Sequence, residues 1–163
     1  MSTGHRAALT FCIVCLCIAA DLGSKAVVRA TLADAPAQYY LHGWLRLSYW
    51  ENAGTVMSLG DELPRALRYQ AFTVGAAMFA AALIAFIVLS ARLTPTGVTA
   101  GSLIAGGSLS NVIDRLLHEG RALDFINIVM TPLHLMIFNL ADVALALGMV
   151  MLLYLALRRP AAR

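Results

Sequence analysis

The feature that most constrains the fold of this chain is an apolar stretch at residues 71–91 that carries no charged side chain. A helix rises 1.5 Å per residue, so a helix of this length covers the roughly 30 Å of hydrocarbon in a bilayer. Only 13% of the 163 residues are charged and the mean hydropathy is +0.77, values that exclude an ordinary soluble protein. We therefore predict an all-α protein that crosses a membrane several times.

Three other apolar stretches have a similar length, and together they predict a single membrane domain, 1–163, with four transmembrane helices near residues 7–28, 69–91, 97–117 and 133–157. The first stretch begins like a signal peptide, but further spans follow it, so we interpret it as a retained helix. Its three cysteines are interpreted as small apolar residues rather than a redox pair. The third stretch is predicted to pack closely against other helices because it is rich in small residues: Gly101, Ala105, Gly106 and Gly107.

A different pattern occupies residues 31–65, where aromatic residues cluster and Leu45, Leu47 and Tyr49 alternate with polar residues. Alternation of this kind indicates a β-strand, and aromatic side chains favour the headgroup level of a membrane. The segment is predicted to be a small extracytoplasmic β segment that lies on the membrane surface. Residues 118–132 are too polar to span and are predicted to be an extracytoplasmic loop.

The charges indicate an orientation. With four spans, both termini lie on one side, and that side carries no acidic residue but five basic ones: Arg6, Arg92, Arg158, Arg159 and Arg163. The other seven Lys and Arg residues lie on the opposite side, so the count alone is equivocal, but the short basic flanks favour cytoplasmic termini. The acidic residues would then face outward. The net charge of +3 is attributed to this distribution of basic residues along a membrane protein, and no nucleic-acid partner is predicted.

Carboxylates are costly beside a membrane span, so their arrangement points to chemistry. Asn111 and Asp114 stand three apart on the third span, Asn139 and Asp142 repeat that spacing on the fourth, and Asp124 lies between the two spans. Residues three apart share a helix face, and an amide can both donate to and accept from a carboxyl partner.

Two such carboxylates would share a proton, so that one could activate water while the other polarises an amide carbonyl. The chain has neither G-x-S-x-G nor H-E-x-x-H, and neither a metal nor a cofactor is predicted.

Other interpretations fit part of this pattern. Asp114 could form an ion pair with Arg115 or Arg121 at the membrane edge, and Asp21 with Lys25 has the spacing of a structural helical ion pair at the interface. A proton- or cation-coupled transporter would also keep acids in a membrane, but would distribute them through its depth. A structural subunit could use amides and acids to join helices. That role leaves Asp124, in a loop, unexplained.

Taken together, these residues resemble the lipoprotein signal peptidases, or type II signal peptidases, of bacteria. The resemblance covers nearly the whole chain and is carried by six groups: Asp21 with Lys25, Asn52 with Gly54, Gly106-Gly107, Asn111-x-x-Asp114-Arg115, Asp124-Phe125 and Phe138-Asn139-x-Ala141-Asp142.

The resemblance implies an aspartic endopeptidase of the cytoplasmic membrane that cuts diacylglyceryl-modified prolipoproteins before the lipid-bearing cysteine. It implies Asp124 and Asp142 as the catalytic pair. The supporting or substrate-binding residues that it implies are Asn52, Gly54, Asn111, Asp114, Arg115, Asn139, Asp21 and Lys25. With such a substrate, the surface segment is expected to clamp its extracytoplasmic part, with Trp44 and Trp50 in contact with it. Membrane lipid is an expected partner, and inhibition by globomycin-type cyclic peptides is expected as well. The chain departs from the family pattern at residues 55–59 and at Ser110, where changes in substrate fit are expected.

Overall fold

The computed structural model describes residues 1–52, 64–128 and 136–158. Two sequence features therefore lie outside the described residues, namely Gly54 and the departures at 55–59. Five α-helices and four strands follow one another in the order α1 (Thr3–Leu32), β1 (Gln38–Tyr40), β2 (Leu45–Asn52), α2 (Arg65–Tyr69), α3 (Ala76–Leu89), α4 (Pro95–Leu117), β3 (Ala122–Ile128), β4 (Met136–Phe138) and α5 (Leu140–Arg158). A π-helical turn, Gln70–Gly75, joins α2 to α3.

Among the described residues, three helical segments are long and apolar enough to cross a membrane: Thr3–Leu32, Ala66–Leu89 and Leu140–Arg158. This makes the chain a multi-pass membrane protein, as predicted. The predicted third span forms α4, which has the length of a span at 23 residues but a more polar sequence. It packs against α1, α3 and α5, and 13 of its residues are buried. Its role as a fourth span stays a prediction.

The small residues of α4 bring the helices together, as predicted. A β-carbon placed on Gly106 would lie 2.8 Å from Cβ of Cys17 in α1, and one placed on Gly107 would clash with the carbonyl oxygen of Ala141 in α5. Contact at backbone distance is possible only because these side chains are absent. This contact brings α4 against the first turn of α5, where Asp142 lies.

The four strands form one antiparallel sheet in the order β1-β2-β3-β4. β1 and β2 confirm the predicted β segment, although α1 extends to Leu32 and so includes its first residues. Two boundaries were wrong. β3 occupies most of the predicted loop 118–132, and β4 lies within the predicted span 133–157, whose helix begins only at Leu140.

The error at β3 has a physical cause. Leu123 and Phe125 are buried against Val28 and Leu32 of α1, so the strand is held by a helix that lies far away in sequence. Asp124 alternates with them and faces the other way. A polar residue in a short strand made this segment resemble a loop.

Candidate active site

Asp124 and Asp142 line one cavity of about 400 Å³. Asp124 comes from β3 and Asp142 from the first turn of α5, so the sheet and the helix bundle each supply one carboxylate. The rest of the wall contains both polar and apolar residues: Asn52, Ser108, Asn111, Arg115, Asn139, Ala71, Phe72, Gly75, Ala76, Phe79, Ala122, Ile137 and Leu145.

Asn139 connects the two carboxylates. Its backbone N–H donates to Oδ2 of Asp142 at 3.1 Å, and its Oδ1 accepts from the backbone N–H of Asp142 at 3.0 Å. This reciprocal pair is a capping box, which satisfies backbone donors at the start of α5. The Nδ2 of Asn139 also donates to Oδ1 of Asp124 at 2.6 Å. One fully buried side chain therefore positions both acids.

Asn111 holds the other oxygen of Asp142. Its Nδ2 donates to Oδ1 of Asp142 at 3.0 Å, and its Oδ1 accepts from Nδ2 of Asn139 at 3.1 Å. Asn111 of the first N-x-x-D motif therefore meets both polar residues of the second motif across the contact of α4 with α5. The sequence spacing predicted this arrangement.

Asp114, by contrast, does not line the cavity. It is fully buried, and its carboxylate contacts Arg29 at 2.7 Å and Lys25 at 3.1 Å, both on α1. It also accepts from the backbone N–H of Leu123 at 2.8 Å, which ties α4 to β3. The sequence suggested Arg115 or Arg121 as partners, but the described charged groups closest to this carboxylate are Arg29 and Lys25 of α1, together with His118 at 2.9 Å.

Arg121 forms its ion pair with Glu51, at 2.7 Å and at the protein surface. Arg115 instead lines the cavity of Asp124 and Asp142. Its Nη1 makes a long contact of 3.5 Å with the carbonyl oxygen of Phe72 in the π-helical turn. Arg115 thus places a positive charge beside the carboxylate pair.

The predicted ion pair of Asp21 and Lys25 is present, with 2.7 Å between Nζ and Oδ2. Both residues are completely buried inside the protein, and their level in the membrane stays a prediction. Asp21 also accepts from Oγ of Ser110 at 2.7 Å and from the backbone N–H of Ala141 at 3.0 Å. Ser110 therefore departs from the family pattern inside this buried network, and it does not line the cavity.

Asn52 completes the surroundings of Asp124, since its Nδ2 donates to Oδ2 of Asp124 at 2.8 Å. Burial raises the pKa of Asp124 to about 6, and the nearby charge of Asp142 acts in the same direction. The hydrogen bonds from Asn52 and Asn139 oppose this effect because they stabilise the ionised carboxylate. A carboxyl with this pKa can hold or release a proton near neutral pH.

The π-helical turn was not predicted from the sequence, where this stretch is interpreted only as a membrane span. Its residues Ala71, Phe72 and Gly75 line the cavity beside the carboxylates. Turns of this type occur frequently at functional sites. The signal available in the sequence was a set of polar or small residues, Gln70, Thr73 and Gly75, at the beginning of an apolar span.

The fold and the cavity define a class: a multi-pass membrane protein in which two amide-bound carboxylates line one cavity. Aspartic hydrolases use a pair of carboxylates to activate water. Across residues 1–52, 64–128 and 136–158, no three His, Cys, Asp or Glu side chains are grouped as ligands for a metal ion. The absence of a metal requirement stays a prediction.

Comparison with known proteins agrees with this class. A family model described as signal peptidase (SPase) II matches residues 13–158. A lipoprotein signal peptidase of Streptomyces coelicolor is 33% identical, over 94% of this chain and 72% of that protein. One from Syntrophomonas wolfei is also 33% identical, over 87% of this chain and 88% of that protein.

The fold also matches a solved bacterial membrane enzyme, determined in meso at 1.9 Å resolution, with a TM-score of 0.79 and 23% identity over 93% of this chain and 94% of that one. The chain belongs to the signal peptidase II family, whose named relatives are lipoprotein signal peptidases, and the predicted family and protease class are confirmed. This result removes the transporter and the structural subunit from consideration.

Proposed function

We propose that this protease removes the signal peptide from diacylglyceryl-modified prolipoproteins at the bacterial cytoplasmic membrane, cutting before the lipidated cysteine. The observation that carries the proposal is the joint position of Asp124 and Asp142 in one cavity, with Asn139 bound to both. The apolar part of the cavity wall, which includes Phe79 and Leu145, suits a substrate that brings acyl chains and a signal helix.

In this mechanism the carboxylate pair carries one proton. The ionised member accepts a proton from a water molecule, whose oxygen attacks the carbonyl carbon of the scissile peptide bond. The protonated member donates a hydrogen bond to the carbonyl oxygen as charge develops there. When the tetrahedral intermediate collapses, the C–N bond breaks and a carboxyl proton passes to the amine of the modified cysteine. The signal peptide then leaves with a new carboxyl terminus.

The amides of Asn111, Asn139 and Asn52 would act as positioning groups, since each donates to a catalytic oxygen. The charges of Asp21, Lys25 and Asp114 would maintain the contact of α1 with α4 and α5 on which those amides depend. Arg115 would add positive charge to the cavity. A substrate-contacting role for Gly54 is proposed from the resemblance alone.

The proposed membrane topology has α4 as its fourth span. With 23 residues it is about 35 Å long, enough for a fourth span, and its burial explains its polarity. Both termini would be cytoplasmic and the carboxylates extracytoplasmic. Arg6 supports this topology: it is buried and donates to the carbonyl oxygen of Val88 at 3.0 and 3.1 Å, so a basic side chain caps α3 at the end remote from the acids.

The test is cleavage of a diacylglyceryl-modified prolipoprotein by the purified full chain. Asp124→Asn and Asp142→Asn should each reduce turnover by at least about 10³-fold, within the range that general acid–base groups contribute. Asp34→Asn removes an exposed acid and should leave turnover unchanged. A chelator should have no effect, the unmodified precursor should not be cut, and a globomycin-type cyclic peptide should inhibit.

Each arm has an outcome that would contradict the proposal. Residual cleavage by a folded Asp124→Asn variant would remove Asp124 from the catalytic pair. Loss of activity with chelator would require a metal. Equal cleavage of modified and unmodified precursors would show that the diacylglyceryl group is not recognised.

A further inference from the structure

A second cavity, of about 550 Å³, lies between the link from α3 to α4 and the carboxyl end of α5. Its lining includes Arg92, Leu93, Gly97, Leu152, Leu155 and Arg158. From its two arginines, its leucine wall and its position we infer that this cleft binds an anionic phospholipid, whose phosphate lies between Arg92 and Arg158. The site is separate from the carboxylate cavity and plays no part in the cleavage mechanism.

The position of the cleft places it at the opposite end of the molecule from the acids. Arg158 lies sixteen residues after Asp142 on the same helix, so about 24 Å separates them along its axis. On the other wall, Gly97 lies in the first turn of α4, whereas Asp114 lies in its last turn. A distance of this size is close to the hydrocarbon thickness of a bilayer. The cleft therefore lies at the level of the phospholipid headgroups of the other leaflet.

The charge of the cleft suits a phosphate. Arg92 and Arg158 are both exposed, and none of the described residues that line the cleft is acidic. The guanidinium of Arg158 lies over the ring of Tyr154, with 4.5 Å from its carbon to the ring centroid. Stacking uses the face of the guanidinium and leaves the N–H donors at its edge directed outward, where they can bind phosphate oxygens.

The apolar wall explains why a lipid fits better than a free anion. A β-carbon placed on the buried Gly97 would lie 3.6 Å from Cδ2 of Leu93 and 3.9 Å from Cδ1 of Leu155, so the two leucines converge above the glycine. Leu152 continues this wall along α5 and is 41% exposed. An acyl chain can cover these leucines, whereas inorganic phosphate would leave them uncovered.

The experiment is native mass spectrometry of the detergent-solubilised full chain, titrated separately with dioleoylphosphatidylglycerol, dioleoylphosphatidylcholine and inorganic phosphate. Phosphatidylglycerol should bind at least about tenfold more tightly than phosphatidylcholine, since each arginine near an anionic headgroup contributes about a fivefold gain. Arg92→Gln and Arg158→Gln should each weaken its binding about fivefold. Arg46→Gln, which removes an arginine from β2, is the matched control and should leave it unchanged.

Three results would overturn the inference. Equal binding of the two lipids would exclude recognition of the anionic headgroup. Inorganic phosphate binding as tightly as the lipid would show an anion site without a lipid role. Equal effects of Arg92→Gln, Arg158→Gln and Arg46→Gln would place the lipid elsewhere. Because both arginines are exposed, the variants should unfold at the temperature of the parent protein, and none of these readouts depends on cleavage.

Discussion

Lys25 Nζ lies 2.9 Å from Oδ1 of Asn111, and this contact between two buried residues determines which way the Asn111 amide faces. An ammonium group can only donate, so the amide must present its oxygen to Lys25. Its Nδ2 is then directed at Asp142, 3.0 Å away. Lys25 lies outside the cavity, yet it fixes the orientation of the amide that donates a hydrogen bond to Asp142, one member of the proposed catalytic pair.

The first prediction concerns this lysine. Lys25→Met would leave the buried carboxylate of Asp21 without its partner, and breaking a buried ion pair typically costs about 3–5 kcal/mol of unfolding free energy. Thermal unfolding in detergent measures the loss. The double variant Asp21→Asn/Lys25→Met keeps the net charge of the network and should recover part of it. Equal stability of the single and double variants would contradict the prediction.

Ser110 was expected to affect substrate fit, but its position predicts an effect on stability. Ser110→Ala removes the 2.7 Å hydrogen bond to Asp21 and should cost about 1–3 kcal/mol of unfolding free energy, because it leaves a buried acceptor less satisfied. KM for the prolipoprotein should remain unchanged. Ser108→Ala is the matched control for the same substitution at a serine of α4 that does line the cavity. A raised KM in Ser110→Ala with unchanged stability would restore the original expectation.

The close contact of α4 with α5 predicts opposite effects for two glycine substitutions. A β-carbon at Gly107 would clash with the backbone of Ala141 and lie 3.0 Å from Cγ of Leu145, whereas one at Gly23 meets no atom within 4 Å. Gly107→Ala should therefore lower the unfolding temperature and the turnover, because Asp142 follows Ala141. Gly23→Ala should raise stability by about 0.5–1 kcal/mol, the usual gain from replacing a helical glycine. Stabilisation by both substitutions would contradict the close contact of α4 with α5 at Gly107.

The pKa of Asp124 predicts a change in the pH profile. If the pair is active with one proton, kcat/KM should fall as pH rises through the ionisation of Asp124 at about 6. Asn52 stabilises the ionised form, so its removal raises that pKa, and the alkaline limb of Asn52→Ala should move to higher pH. Gln38→Ala, at an exposed position of β1, should leave the limb in place. A displacement of the alkaline limb to lower pH would contradict the predicted rise in the pKa of Asp124.

The sheet register separates the two tryptophans that were predicted to contact substrate. Trp50 is paired directly with Asp124, so the two side chains share a face of the sheet, and 58% of Trp50 is exposed. Trp44 precedes the strand and has no such partner residue in the described register. Trp50→Ala should therefore raise KM for the prolipoprotein, and Trp44→Ala should not. Equal KM values for both variants would argue against substrate contact at the sheet.

Part of this arrangement could be predicted from local spacing. The long apolar stretches predict the helices, because the length and hydropathy of a span are properties of one segment. The N-x-x-D motifs predict that Asn111 and Asp114, like Asn139 and Asp142, share a helix face. Asp21 and Lys25 are four residues apart, and their ion pair is likewise local.

The sequence by itself thus determined the helical elements, the small-residue contacts and the set of polar residues at one end. Only the tertiary structure decided which acids share a cavity. Asp114 and Asp124 are both buried, yet Arg29 and Lys25 of α1 neutralise Asp114, whereas β3 directs Asp124 toward Asp142. That division depends on which distant segments meet, because a charge is compensated by its neighbours in space, and spacing along the chain does not specify those neighbours.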